Sequence, residues 1–245
     1  MANNKQKILK VTEDPNTEKL FEKPIFIYSP LNEVLSASKK RKILIFEKNE
    51  YLFNENEICD GLYFVISGKV KIVKTDMNSG QCILFIAKPG DFLGLHAIIN
   101  EHMYTTSAIT IAKSTICFIP SGEFLEIVQT NNTAKLVVMQ LLCKRIDQLE
   151  NKVAMRNEKP TDSRLADSLI TLLSAYGTDA NNFIRIELKP DDLASMVGTS
   201  RAYLNKIIND FTKQKIICFE HNKIKILDLQ RLKDLLEPPG FPAEE

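Results

Sequence analysis

Long apolar runs, paired cysteines and nucleotide-binding loops are all missing from this sequence. No apolar run approaches the roughly 20 residues of a membrane-spanning helix, and the polar start MANNKQKILK lacks the apolar core of a signal peptide. We therefore expect a cytoplasmic protein with no membrane partner. Neither GxGxxG nor GxxxxGKS/T occurs, so nothing supports nucleotide binding by a Rossmann fold or a P-loop.

The sequence also lacks motifs typical of metal sites, disulfide bonds or catalytic sites. The five cysteines lie far apart without a CxxC pair, which in a reducing compartment predicts neither disulfides nor a zinc site. We expect most of them to pack as small apolar residues. The three histidines are scattered, and there is no nucleophile elbow or paired-carboxylate motif, so the sequence does not predict an enzyme.

The net charge of +1 is too small to attract polyanions globally, so any affinity for nucleic acid needs a local basic patch. Such a patch occurs towards the C-terminus, where only Asp210 and Glu220 oppose six basic residues. These are Arg201, Lys206, Lys213, Lys215, Lys223 and Lys225. A solvated surface helix has the same composition, so the patch supports an interface without establishing one.

The most informative segment is LASMVGTSRAYLNKIINDFTKQKII, residues 193–217. Its apolar residues have helical spacing on both sides of Gly198, which tolerates a positive φ and can end a helix. Ser200 can then cap the next helix with its hydroxyl. Two short amphipathic helices joined by such a turn form a helix-turn-helix, whose second helix can enter the major groove of DNA. The alternative is an ordinary helical hairpin in a core.

The two runs that follow, KIICFEH and KIKILDL, predict a β-hairpin that turns at residues 220–222. A hairpin directly after a recognition helix is a wing, whose lysines Lys223 and Lys225 would reach phosphates. Adding the polar positions of the helix and its N-terminal cap gives seven candidate DNA-binding residues. They are Thr199, Ser200, Arg201, Tyr203, Asn205, Lys206 and Lys223.

The first half of the chain has a different pattern. Short β-rich runs separated by Gly, Pro, Asn and Ser turns occur between Ile25 and Ile119, which predicts an antiparallel sandwich or roll. After Pro120 the pattern becomes helical to about Arg156. A stripe with steps of four, three and four along this long helix predicts either a coiled-coil seam or a face packed on the β domain. Its members are Leu142, Ile146, Leu149 and Val153.

These changes of pattern predict an α+β protein with five segments. Residues 1–22 form a polar tail, 23–120 an antiparallel β-roll, and 121–157 the connecting and dimerisation helices. Residues 158–237 form the winged helix-turn-helix domain, because Pro160 interrupts the long helix. Residues 238–245 form a second tail.

The order of these elements resembles the bacterial cAMP receptor protein and fumarate-nitrate regulator (Crp/Fnr) family over roughly residues 25–235. The motifs that carry the resemblance are GLYFVISGKVKI (61–72), KPGDFLG (88–94), SRLADSLITLL (163–173) and DLASMVGTSRAYLNKII (192–208). The resemblance implies a double-stranded β-helix of the cyclic-nucleotide-binding type. It also implies a homodimer that binds a palindromic operator in double-stranded DNA, responds to a signal in the roll and contacts RNA polymerase.

By resemblance, cyclic-nucleotide binding needs an acid beside the glycine of the GDFxG turn and an arginine before a Ser-Ala pair. Leu95 and Thr106 stand at these positions, and Leu149 and Glu150 replace the Thr-Ser pair that receives the base. A buried phosphate without a cation is costly. We therefore predict a degenerate pocket that does not bind cAMP. Its residues are Gly94, Leu95, His96, Thr106 and Ser107.

The effector that would replace cAMP is left open. The iron–sulfur sensors of the family use N-terminal cysteines, and none precedes Cys59 here, so no such cluster is expected. No cofactor is expected, although haem bound through His96 is an alternative that would make the chain a gas or redox sensor. A second alternative is a ligand-binding module that acts through protein contacts and does not bind DNA.

Overall fold

The computed structural model describes three stretches of the chain, residues 32–75, 81–100 and 103–236. The two predicted tails and the predicted turn at residues 78–80 lie outside these described residues. The chain divides into two compact units. One contains the residues before 80 together with 84–145, and the other contains 80–83 together with 146 onwards.

The first unit is built on two four-stranded sheets with strand orders β1-β8-β3-β6 and β2-β7-β4-β5. The strands are β1 (Lys42–Phe46), β2 (Tyr51–Phe53), β3 (Gly61–Ser67), β4 (Val70–Thr75), β5 (Gln81–Ala87), β6 (Phe92–Leu93), β7 (Ser107–Thr110) and β8 (Ser114–Pro120). Adjacent strands β1 and β8, β3 and β8, and β4 and β7 pair antiparallel. The predicted antiparallel β-roll is therefore confirmed, with its core formed by residues of both sheets.

Strand β3 is the centre of this core. Every residue from Gly61 to Ile66 is buried, and only Ser67 at the end of the strand is exposed. A strand without polar alternation is covered on both faces, which explains its continuous apolar run. Gly61 allows the close approach of β8, because a Cβ there would lie 2.3 Å from the carbonyl oxygen of Ile119.

Within the described residues, four helices accompany the roll and continue from it. They are α1 (Asn32–Ala37), α2 (Leu95–Asn100), α3 (Ser121–Thr130) and α4 (Asn132–Glu158). Helix α3 begins directly after Pro120 and buries Phe124 and Ile127 against the roll. Within the described part of the chain, no helix combines the length and the apolar content that crossing a membrane requires.

The second unit contains four more helices and one hairpin. They are α5 (Thr161–Tyr176), α6 (Pro190–Val197), α7 (Arg201–Lys213), the strands β9 (Ile217–Glu220) and β10 (Lys223–Ile226), and α8 (Leu229–Asp234). Pro160 precedes α5 and Gly177 ends it, as the sequence pattern predicts. Leu165, Leu169 and Leu172 of α5 are buried.

The structure differs from the sequence pattern in three respects. The run FIRIEL, residues 183–188, alternates like a strand but forms only the isolated bridges Thr178–Ile184 and Phe183–Lys225 beside the hairpin. The short strands β1, β2 and β6 and the one-turn helix α2 were not anticipated. Of the five cysteines, two are buried as small apolar residues, Cys59 and Cys117, whereas Cys82 and Cys218 are half-buried and Cys143 is exposed.

Candidate nucleic-acid interface and effector pocket

The turn between α6 and α7 has the geometry that its sequence predicts. Gly198 adopts the left-handed conformation, with φ 71° and ψ 49°. Its N–H and that of Thr199 both donate to the carbonyl oxygen of Ala194, at 2.9 and 3.0 Å. These bonds satisfy the end of α6 and reverse the chain within two residues.

Ser200 then begins α7. Its side-chain oxygen accepts a hydrogen bond from the backbone N–H of Tyr203 at 3.2 Å. Because the oxygen of Ser200 is the acceptor in this bond, its hydroxyl can still donate to another group such as a phosphate. Thr199 is half-buried in the turn, and its N–H is committed to α6.

Helix α7 has one buried and one exposed face. The buried face contains Leu204, Ile207, Ile208 and Phe211, each at most 5% exposed. The opposite face is exposed and carries five residues that the sequence placed outward, namely Arg201, Ala202, Tyr203, Asn205 and Lys206. All four predicted DNA-binding residues of the helix therefore lie on one surface.

The hairpin places two lysines on its outer face. Its two-residue turn is formed by His221 and Asn222, both with positive φ, which is the geometry of a type I′ turn. Ile224 is buried beneath the hairpin, so Lys223 and Lys225 on either side of it face outward. Both are half-buried, and the ammonium of Lys225 lies 6.0 Å from the centre of the Phe183 ring.

Sequence reasoning missed an acidic residue at this surface. Asp191, in the first turn of α6, accepts from Nη1 of Arg201 through both carboxylate oxygens, at 3.3 and 3.1 Å. The side chains of both residues are exposed. The only signal in the sequence was the acidic pair Asp191-Asp192 after Pro190, which indicates a helix start and gives no partner ten residues away.

In the first unit, the turn at Gly94 positions the predicted effector pocket. Gly94 has a φ of 86°, and a Cβ on it would lie 3.0 Å from both the Gly61 carbonyl oxygen and a ring carbon of Tyr104. Glycine is therefore required on conformational and steric grounds. Leu95, the next residue, is 8% exposed and belongs to the apolar core.

The other two predicted pocket residues, Thr106 and Ser107, are both buried. The hydroxyl of Ser107 accepts from the backbone N–H of Glu55 at 2.9 Å. The neighbouring Thr105 carbonyl accepts from the Lys74 ammonium at 2.7 Å, and this ammonium also pairs with Glu55 at 2.6 Å. The polar groups of this segment are therefore engaged by hydrogen bonds within the roll.

His96 contacts the segment that contains Thr106 and Ser107. Its Nε2 lies 2.7 Å from the Thr105 hydroxyl oxygen, so these two groups share a hydrogen bond. His96 is exposed, but partial desolvation beside the roll lowers its pKa, and the nearby charges of Arg145 and Lys74 lower it further. The Arg145 guanidinium lies 3.8 Å from the centre of the Phe85 ring. Nε2 of His96 is engaged by Thr105 in this arrangement, so a metal bound at that nitrogen would have to replace this hydrogen bond.

Comparison with known proteins matches both halves of the chain. Residues 43–131 match the family model of the cyclic nucleotide-binding domain, and residues 163–235 match that of the Crp-like helix-turn-helix domain. The chain belongs to the Crp/Fnr family. It is thus a transcription regulator with a DNA-binding helix-turn-helix, and not an enzyme.

Its relatives in the Crp/Fnr family extend over most of the chain. The CRP-like cAMP-activated global transcriptional regulator of Mycobacterium tuberculosis is 26% identical over 201 residues, which are 81% of this chain and 90% of the relative. The anaerobic regulatory protein of Bacillus subtilis is 26% identical over 223 residues, or 89% and 92% of the two chains. The structure of FixK2 from Bradyrhizobium japonicum superposes with a TM-score of 0.72 at 16% identity, covering 82% of this chain and 99% of that one.

In this Crp/Fnr protein the long helix α4 has apolar residues on two faces. Ala134 and Val138 are buried in the core of the roll, with Leu141 and Leu142 packed against it. The other face exposes large apolar side chains, namely Leu136, Met139, Ile146, Leu149 and Val153. Of the predicted dimer residues, Ile146, Leu149 and Val153 are therefore exposed, whereas Leu142 packs against the core.

Proposed function

We propose that this protein is a homodimeric, sequence-specific DNA-binding regulator whose roll pocket does not bind cAMP. In this proposal residues 23–120 sense the signal, 121–157 connect and dimerise, and 158–237 bind a palindromic operator. Because its relatives are bacterial transcription regulators, we propose that it acts in the cytoplasm and, as its family resemblance implies, contacts RNA polymerase.

The observation that carries the DNA-binding proposal is the exposed polar face of α7. A helix packed inside a core would bury its second face, but here Arg201, Asn205 and Lys206 are all exposed beside the capped turn. Arginine can read guanine with two parallel hydrogen bonds, and asparagine can read adenine. The lysines of the hairpin add sequence-independent phosphate contacts. A surface that docked another protein would not require this concentration of basic groups.

The observation that supports a dimer is the exposed apolar stripe on α4. Met139, Ile146 and Val153 recur every seven residues and are 60%, 53% and 63% exposed. Leu136 and Cys143, also exposed, follow the same interval on the adjacent row. A seven-residue repeat of apolar residues is the pattern of a parallel two-stranded coiled coil, in which each residue meets its symmetry mate. A second copy of this chain therefore covers the stripe.

The proposal of a pocket without cAMP rests on Leu95 and Thr106. The apolar side chain of Leu95 offers no acceptor to a ribose hydroxyl, and Thr106 has no charge to neutralise a phosphate. The nearby cations are engaged, since Lys74 pairs with Glu55 and Arg145 lies over the Phe85 ring. Haem is a less favoured effector, because the hydrogen bond from His96 to Thr105 would have to break first.

The first test selects preferred duplexes from a library with randomised inverted half-sites and measures their affinity by fluorescence anisotropy. We expect Arg201→Ala to weaken binding to the selected duplex by about 1–3 kcal/mol. It should also reduce the preference for one particular base at a single position of the half-site. Lys223→Ala should weaken binding to all sequences equally and reduce the salt slope by about 0.9. Lys233→Ala, which removes an exposed cation of α8, is the matched control and should change neither quantity.

Two results would contradict the proposal. Absence of any selected duplex, with binding that is equal on all sequences, would exclude specific recognition and favour a module that acts through protein contacts. Heat released on titration of cAMP into the purified protein would exclude the degenerate pocket. We expect no such heat, and analytical ultracentrifugation should show a dimer.

A further inference from the structure

The ion pair of Arg201 and Asp191 joins the first turns of the two helices of the DNA-binding motif. Nη1 of Arg201 reaches both carboxylate oxygens, at 3.1 and 3.3 Å. Asp191 and Arg201 are ten residues apart, and the left-handed Gly198 between them turns the chain back. Both side chains are exposed, so the pair contributes little to the stability of the fold.

The geometry of the contact leaves the reading edge of the guanidinium available. Only Nη1 is used by Asp191, and among the described residues Nε and Nη2 of Arg201 make no hydrogen bond. Those two nitrogens lie along one edge of the planar fork and supply two parallel N–H donors. Two parallel donors are what recognition of guanine O6 and N7 needs.

An arginine side chain without a partner samples many rotamers, and binding to a base must restrict them. A carboxylate that holds Nη1 removes much of this freedom before DNA arrives. We propose that Asp191 is a positioning residue that orients Arg201 towards guanine and so determines the specificity of the recognition helix at one base pair. This inference rests on the proposed base-reading role of Arg201.

A different role for Asp191 would have different consequences. If its charge only repels the phosphate backbone, its removal strengthens binding to every duplex by the same factor. If it only stabilises the start of α6, its removal lowers the melting temperature and leaves base preference intact. Positioning predicts instead that discrimination between bases falls, and that it falls only while Arg201 is present.

The experiment measures the ratio of affinities for the selected duplex and for the same duplex with the guanine pair replaced by each other pair. It uses the full-length protein and the variants Asp191→Ala, Asp191→Glu, Arg201→Ala and the double variant Asp191→Ala/Arg201→Ala. Asp210→Asn removes one negative charge from α7, nine residues after Arg201, and is the control for net charge. Thermal melts verify that each variant is folded.

We expect Asp191→Ala to reduce the ratio by about 3- to 10-fold, a fraction of the roughly 5- to 150-fold that a bidentate arginine supplies. Asp191→Glu should retain part of the ratio, because its carboxylate can still hold Nη1. In the Arg201→Ala background the loss of Asp191 should not change the ratio further. Asp210→Asn should leave the ratio as in the unmodified protein.

An unchanged ratio in Asp191→Ala, with Arg201→Ala losing it, would overturn the positioning role while leaving the proposed function intact. An equal loss with and without Arg201 would also overturn it. If Arg201→Ala itself keeps full discrimination, the base-reading role of Arg201 fails and the positioning role fails with it.

Discussion

The Arg164 side chain donates its Nε–H to the carbonyl oxygen of Val197 at 3.1 Å, across the DNA-binding unit. Its Nη2 lies 3.4 Å from the Gly198 carbonyl oxygen, and its Nη1 donates to the Lys159 carbonyl at 3.1 Å. One guanidinium thus ties the end of α6 to the start of α5. Because Gly198 begins the turn that leads to α7, Arg164 stabilises the packing of α5 and α6 that positions the recognition helix.

Replacing Arg164 should therefore loosen this frame. We expect Arg164→Ala to lower the free energy of unfolding by about 1–3 kcal/mol, because several carbonyl oxygens lose a charged donor. Arg164→Lys should recover only part of this loss, since an ammonium cannot reproduce the planar fork. Urea unfolding of the two variants provides the measurement. Equal stability of Arg164→Lys and the unmodified protein would show that charge alone is needed at this position.

Cys143 tests the proposed dimer seam. It is exposed on α4 and lies one heptad, seven residues, after Leu136 on the same row of the helix. If two copies pair in parallel and in register, each Cys143 faces its symmetry mate at a distance suited to a disulfide. Mild oxidation with diamide should then yield a covalent dimer on non-reducing gels.

Two variants control this crosslinking experiment. Cys143→Ser should abolish the covalent dimer, because Cys143 is the exposed cysteine, whereas Cys59 and Cys117 are buried and Cys82 and Cys218 are half-buried. Ile146→Asp should abolish it by introducing a charge into the seam, and should also yield monomers in ultracentrifugation. Dimers of the unmodified protein that do not crosslink would indicate a different register or an antiparallel arrangement.

His96 should make the stability of the roll sensitive to acid. Partial desolvation and the cations Arg145 and Lys74 hold its pKa below the ordinary value, whereas in the unfolded chain the ordinary value applies. Between these two pKa values the unfolded state binds more protons, so stability falls as pH falls. The contribution of neutral His96 is complete above the unfolded pKa of about 6.5 and is lost as pH decreases through the folded one.

His96→Gln removes the pH-dependent contribution of His96 to stability, because glutamine can still form a hydrogen bond to Thr105 but does not titrate. Urea midpoints measured from pH 8 to pH 5 should decrease more steeply for the unmodified protein than for the variant. Parallel curves for the two proteins would mean that His96 remains solvated and has no shifted pKa.

The hydroxyl of Tyr104 anchors the segment that contains Thr106 and Ser107. This group donates to Asp60 at 2.6 Å and accepts from the Gly61 N–H at 3.2 Å, while its ring stacks on Phe53 with centroids 3.9 Å apart. Burial raises the pKa of Tyr104 far above its usual range, so the hydroxyl stays protonated and able to donate.

Tyr104→Phe keeps the stacked ring and removes only the hydroxyl. We expect it to lower the free energy of unfolding by about 1–3 kcal/mol, because the buried Gly61 N–H loses its partner. Tyr51→Phe, at an exposed position, is the control and should be nearly neutral. Similar thermal melts for both variants would show that water replaces the lost hydroxyl.

The local features of this protein were readable from its sequence because they depend on a few adjacent residues. Gly198 and Ser200 define the turn and the cap by their own conformational preferences, and Pro120 and Pro160 mark the starts of helices in the same way. The apolar spacing of α7 also correctly predicted which side faces the core.

Features that depend on residues far apart in the chain could not be predicted from the sequence. Helix α4 has apolar residues on two faces, so its pattern alone could not show that Leu142 packs against the roll while Met139 remains exposed. Strand β6 has only two residues and exists because β3 supplies its hydrogen bonds. Such short strands carry almost no periodic signal.

The sequence by itself therefore determined the class of protein, the order of its elements and the residues on the recognition helix, because local conformational preference and periodicity encode these. Three contacts were decided only by the tertiary structure. His96 shares a hydrogen bond with Thr105, Arg164 donates to the carbonyl oxygen of Val197 at the end of α6, and Asp191 forms an ion pair with Arg201. Each of these contacts joins residues that the folded backbone brings together, and the direction of a long polar side chain depends on which partner lies within reach.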